Sequence, residues 1–133
     1  MSYDLMVFEI TEAPQTKKEF MRWYEEQTGW SEDHSYSALK VTSAALQNWY
    51  EEMKKTFPPR NESDSYLETP DEEAEAYLSD YCIGRHLIYV AFSWSKAEEA
   101  YAATTALAQK HGVGFFDVSG DGDIVLPDGS EMS

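Results

Sequence analysis

The chain is poor in positive charge. Ten Lys and Arg stand against 25 Asp and Glu, a formal net charge of −15 on 133 residues. So few cations cannot neutralise a run of phosphates, which argues against nucleic acid and anionic membrane as partners and in favour of something basic. There is one cysteine, Cys82, so no intrachain disulfide can form. It lies in an apolar run with no basic group evidently placed to lower its pKa, and it reads as a buried, inert thiol. Long apolar runs are missing: the longest, around residues 87–92, is far short of a membrane span. Met1-Ser2-Tyr3-Asp4 carries neither a basic nor an apolar leader region, so no signal peptide is expected and the expected compartment is the cytoplasm. Neither G-x-G-x-x-G nor G-x-x-x-x-G-K-[ST] occurs, so a Rossmann or P-loop nucleotide site has no support. H-x-x-x-H, C-x-x-C and G-x-S-x-G are also missing, and His34, His86 and His111 are scattered, so neither a zinc site nor a nucleophile elbow is indicated.

What the chain does have is apolar and aromatic mass, 42% and 14% of its residues, enough for one globular domain over 1–133 with a real core. Most of its Trp, Tyr and Phe are expected inside; the remainder suit an interface. Residues 3–10 read as a central strand, apolar on both faces. Thr16 and Glu19 form a capping box for a helix that ends near Gly29, with Phe20, Trp23 and Tyr24 on one face. A second helix starts after Thr42 or Ser43, carries Leu46, Trp49, Tyr50, Met53 and Phe57 at helical spacing, and stops at Pro58-Pro59. Residues 61–76 hold seven carboxylates and no Lys or Arg, and read as an acidic exposed loop.

A β-rich stretch follows over 77–94, broken near 83–86 into a hairpin or bulge. Ser95 and Glu98 suggest a second capping box, for a helix with Ala97, Tyr101, Thr104, Leu107 and Ala108 inward and Gly112 as its stop. Strands at 113–118 and 123–126 flank a tight turn, and residues 128–133 read as a flexible tail. The expected fold is therefore α+β: a single mixed, mainly antiparallel sheet with helices packed on one face, in the order β-α-α-β-(β)-α-β-β.

Few constellations suggest chemistry. Asp117 to Asp128 fits a calcium loop at several positions, with Asp replacing the usual final Glu; the same residues suit a plain β-hairpin turn, and both readings stay open. Arg85, His86 and Asp117 are candidates for lining a cleft of a small-ligand-binding domain or an enzyme. The carboxylate pairs Glu25-Glu26, Glu51-Glu52 and Glu72-Glu73 suit a solvated face better than acid–base work. No cofactor and no metal is expected. What remains is the acidic set. Glu25, Glu26, Glu32 and Asp33, with Trp30, lie near the end of the first helix, and Glu68, Asp71, Glu72 and Glu73 lie in the acidic loop. These nine are the candidate partner-binding residues, with Trp30, Tyr36 or Tyr66 as aromatic anchors.

Y-D-L-M-V-F-E at 3–9, F-M-R-W-Y-E-E-Q-T-G-W-S-E-D at 20–33, F-P-P-R-N at 57–61, I-G-R-H-L-I-Y-V-A-F-S-W-S at 83–95 and H-G-V-G-F-F-D-V-S-G-D-G at 111–122 cover most of the chain. In these segments it resembles a group of small bacterial proteins, some of which look like immunity proteins of contact-dependent inhibition and other polymorphic toxin systems. The resemblance implies a cytoplasmic, non-enzymatic protein that binds and blocks a cognate toxin domain. Many such toxins act on nucleic acid through basic surfaces, which an acidic protein could occupy in place of the phosphate backbone. It supplies no catalytic residues to carry over.

Overall fold

The computed structural model describes residues 3–29, 39–59, 76–120 and 122–132. Among them the order is β1 (Tyr3–Phe8), α1 (Lys17–Gln27), α2 (Ala44–Thr56), β2 (Asp80–Ile83), β3 (Leu87–Phe92), α3 (Ala97–His111), β4 (Gly114–Phe116) and β5 (Ile124–Val125). The strands form one five-stranded sheet in the order β2-β3-β1-β4-β5. Every pairing between them is antiparallel, with Leu5 opposite Val90, Met6 opposite Phe116 and Cys82 opposite Tyr89. The α+β class, the single sheet and the element order are those expected from the sequence.

β1 is the middle strand, and its alternation explains the layering. Tyr3, Leu5 and Val7 face one side, where Leu46, Trp49, Tyr50 and Met53 of α2 and Ala100 and Ala108 of α3 complete a core. Met6 and Phe8 face the other, against Phe20 of α1, Leu87, Phe116 and Ile124. The expectation of helices on one face is therefore corrected: α2 and α3 share a face, and α1 covers the opposite one. A central strand that is apolar on both sides needs cover on both sides. The α1 side is an aromatic cluster, with Phe8–Phe20 ring centroids 4.8 Å apart and Phe20–Phe116 5.2 Å apart.

The helix starts at Thr16 and Ser43 follow the sequence. Thr16 Oγ1 accepts from Glu19 N and Ser43 Oγ from Leu46 N, each at 3.3 Å. The Ser95–Glu98 box does not form. Residues Trp94–Lys96 make a 3₁₀ turn, α3 is capped at Lys96 with no side-chain bond, and the extended residue is Ser93. An N-cap needs extended backbone, which Ser95, inside the turn, does not have. Gly112, at φ 70°, closes α3 as expected. Tyr101, expected inward, is 40% exposed; Ala100, Thr104 and Ala108 are the buried residues of α3.

The segment read as a tail folds back. Leu126 N donates to Ser130 O (2.7 Å), Met132 N donates to Ile124 O (2.8 Å), and Met132 packs on the α1-side core. Pro127-Asp128-Gly129-Ser130 is a turn sequence, with Gly129 at φ 91° supplying the left-handed residue. The acidic loop, except Ala76, lies outside the described residues.

Candidate functional site

Of the nine expected contact residues, the structure describes Glu25 and Glu26; Trp30, Glu32, Asp33, Glu68, Asp71, Glu72 and Glu73 lie outside the described residues, as do Tyr36, Tyr66, His34 and Arg60. Glu25 and Glu26 are exposed in the last turn of α1, which contains no basic residue. Carboxylates there oppose the helix dipole, each costing roughly 0.3–1 kcal/mol before screening. The turn is held by Thr28, whose hydroxyl donates to Tyr24 O at 2.8 Å. Tyr24 in turn packs edge-on against Phe116 (4.9 Å), and its hydroxyl hydrogen-bonds with that of Tyr89, which donates to Asp4 Oδ2. The acidic end of α1 therefore lies at the Asp4 end of β1.

The expected cleft does not assemble. Exposed Arg85 and half-buried His86 form the β2–β3 turn, where Glu9 N donates to His86 O (2.8 Å) beyond the Phe8 end of β1. With Glu9, Glu12, Thr42 and Ser43 they line a shallow concavity of about 550 Å³. Asp117 sits at the other end of β1, where Ser119 N donates to Asp4 O (3.1 Å) and Asp4 N donates to Ser119 Oγ (2.7 Å). Four residues of extended strand, Leu5 to Phe8, separate Asp4 at one place from Glu9 at the other.

Asp117 to Asp128 runs through the β4–β5 hairpin, in which Phe115 pairs with Val125 and Phe116 with Ile124, and into the turn after β5. Asp117 N donates to Asp123 O (2.9 Å), Gly122 N to Asp117 O (3.2 Å), and Asp117 Oδ1 accepts from Gly120 N (3.1 Å). Asp128 Oδ1 accepts from Ser130 N and Oγ, which lowers its pKa. Both end carboxylates thus serve their own turns. Among the described residues no group of three or more His, Cys, Asp or Glu is placed to hold a metal ion. Cys82 is half-buried, and burial first, then Asp80 and Asp4, push its thiol pKa up. An open, largely apolar concavity of about 520 Å³ lies between Ile10, Pro14, Leu126, Pro127 and Met132.

The exposed aromatic surface lies where the sequence reading did not place it. Trp94 is 49% exposed and Tyr101 40% exposed, at the start of α3. Between them Tyr3 stacks on Trp94 (centroids 5.1 Å, planes at 54°) and, with Ala97, Glu98 and Tyr101, lines a shallow cleft of about 370 Å³. Tyr101 packs edge-on against Phe115 at 5.4 Å. Carboxylates surround the rings. Burial and then Asp117 push the Tyr3 hydroxyl up to about 12; burial, then Asp117, Asp123 and Glu131, raise that of Tyr101. The signal available in the sequence was position alone: Trp94 ends the stretch read as β, whereas β3 stops at Phe92 and alternation no longer assigns Trp94 a face.

Comparison with protein-family models, with curated proteins and with solved structures gives no match to the chain. Among the described residues no helix is long and apolar enough to cross a membrane.

Proposed function

We propose that the chain is a cytoplasmic immunity protein that binds and neutralises a cognate bacterial toxin domain, a basic nuclease-type one, through an acidic, aromatic-containing surface. It works by occupancy, not catalysis. Its carboxylates take the place of substrate phosphates on the toxin, so binding and substrate exclusion are one event. The observation that carries the reading is the net charge of −15. Support comes also from Glu25 and Glu26, exposed at the helix end where they weaken α1, a placement that helix stability does not account for. A surface of this sign accelerates encounter with a basic domain, while aromatic anchors supply affinity that survives salt.

The test is capture by the tagged chain from its native host, with salt raised stepwise and bound proteins identified by mass spectrometry. A single basic toxin-like domain, held tightly and released in part by salt, is the expected result. Charge reversal of four of the nine candidate residues, Glu25 and Glu26 included, should weaken binding and flatten its salt dependence. Unchanged affinity and salt slope would remove that surface assignment, and no stable partner would remove the reading.

A further inference from the structure

We infer that the Tyr3–Glu98–Tyr101 cleft at the start of α3, with Trp94 packed on Tyr3 beside it, is a docking surface for an arginine side chain presented by a basic protein segment. The inference deepens the immunity reading by naming a face and a contact chemistry, and it rests on that reading only for who supplies the arginine.

Among the described residues the large exposed apolar side chains are Ile10, Trp94 and Tyr101; Tyr101 lines this cleft, and Trp94 packs on Tyr3, which forms its wall. The sequence spacing explains it. Trp94, Glu98 and Tyr101 fall on one side of the 3₁₀ turn and the first two turns of α3, while Ala100 and Thr104 turn to the core. Tyr3 fixes the Trp94 ring from below, and Phe115 fixes Tyr101 from its edge. Two aromatic rings are thus held on a rigid base with much of their area in solvent, an arrangement that matches interface anchors.

Charge selects the occupant. Glu98 lines the cleft, and the charges of Asp117, Asp123 and Glu131 reach Tyr101. The nearby cation, Lys96, does not line this cleft; it lies in the neighbouring concavity with Trp94 and Glu98, its ammonium 4.4 Å from the centre of the Tyr77 ring and 3.9 Å from Glu99. A planar, weakly hydrated guanidinium stacks on Trp or Tyr and pairs with a carboxylate in the same pose, which a strongly hydrated ammonium does less well.

The probe is a capped peptide of alternating arginine and glycine, titrated into the full chain while amide and indole N–H resonances are followed by NMR. A charge-matched lysine–glycine peptide is the comparison. The expected result is saturable shifts centred on the Trp94 indole and on residues 97–101, with arginine binding tighter than lysine. Trp94→Ala, Tyr101→Ala and Glu98→Gln should each weaken the arginine peptide by about two- to fivefold. Glu12→Gln, an equal charge change at the Phe8 end of the sheet, should not. Tyr101→Ala removes an exposed ring and keeps the test valid should Trp94→Ala disturb Tyr3. Shifts spread over the acidic surface, centred on Glu25 and Glu26, or absent at millimolar peptide would overturn the surface. Capture of a toxin with peptide shifts elsewhere keeps the immunity reading and removes this cleft. Shifts at Trp94 with no toxin captured do the reverse.

Discussion

The ring of Phe8 occupies the space that a side chain at Gly114 would need: a Cβ built on Gly114 stands 2.3 Å from Phe8 Cζ and 2.5 Å from Cε2. The two residues face each other across the β1–β4 pairing. Phe8 is fully buried against Phe20, so its ring has nowhere to go. Gly114→Ala should therefore destabilise the fold by about 1–3 kcal/mol, the usual result of overpacking a closed core. Urea unfolding followed by tryptophan fluorescence checks it; a change under about 0.5 kcal/mol would mean that β4 shifts freely.

Thr104 presents a different core problem. Its side chain is buried between α2 and α3, and Oγ1 finds no hydrogen-bond partner among the described residues. Its backbone carbonyl is used, accepting from Trp49 Nε1 at 3.3 Å. Thr104→Val keeps the shape and removes the orphan hydroxyl, and it should leave stability unchanged or raise it by up to about 1 kcal/mol. Thr104→Ala, which opens a void, should lower stability. A loss on Thr104→Val comparable to that on Thr104→Ala would show that the hydroxyl is satisfied.

Acid should loosen the joint between α2 and α3. Glu52 accepts from Lys110 Nζ at 2.7 Å and contacts His111 Nε2. The Lys110 hydrogen bond first, then that of His111, lowers the Glu52 pKa. A carboxylate with a lowered folded pKa stabilises above its unfolded value, about 4.3, and loses that contribution as pH falls through the folded value. Wild type should melt above Glu52→Gln near pH 6, and the two should converge as pH falls from the unfolded value through the lower folded one. A gap that persists or widens at low pH would contradict the pairing.

Cys82 should be a slow thiol. Burial and the neighbouring Asp80 and Asp4 disfavour its thiolate. At pH 8 the folded chain should react with a disulfide reagent more slowly than free cysteine, and at the free rate once unfolded. A folded-state rate equal to that of free cysteine would remove the inert assignment.

Much of the fold was legible because local chemistry and period agree at particular residues. Thr16 and Ser43 cap the helices their sequence announced, and Trp49, Tyr50 and Met53 are buried at the expected spacing. The side of the sheet that α1 takes was less legible, since helical period names the buried stripe of a helix and not its partner; the clue lay in β1, apolar on both faces. Ser95 misled because a 3₁₀ turn moved the helix start, a backbone choice that side-chain type does not encode. The site was harder still. Seven of the nine expected contacts lie outside the described residues, and the exposed rings of Trp94 and Tyr101 read as core because apolar character alone does not separate an anchor from a filler.

The most direct test of the central claim is neutralisation. The captured domain is assayed for nucleic-acid cleavage with the chain added in increasing amounts, at low and at high salt. Cleavage should fall to background at one chain per domain, and high salt should slow association far more than it weakens the final complex. Full cleavage in the presence of excess chain would contradict the claim.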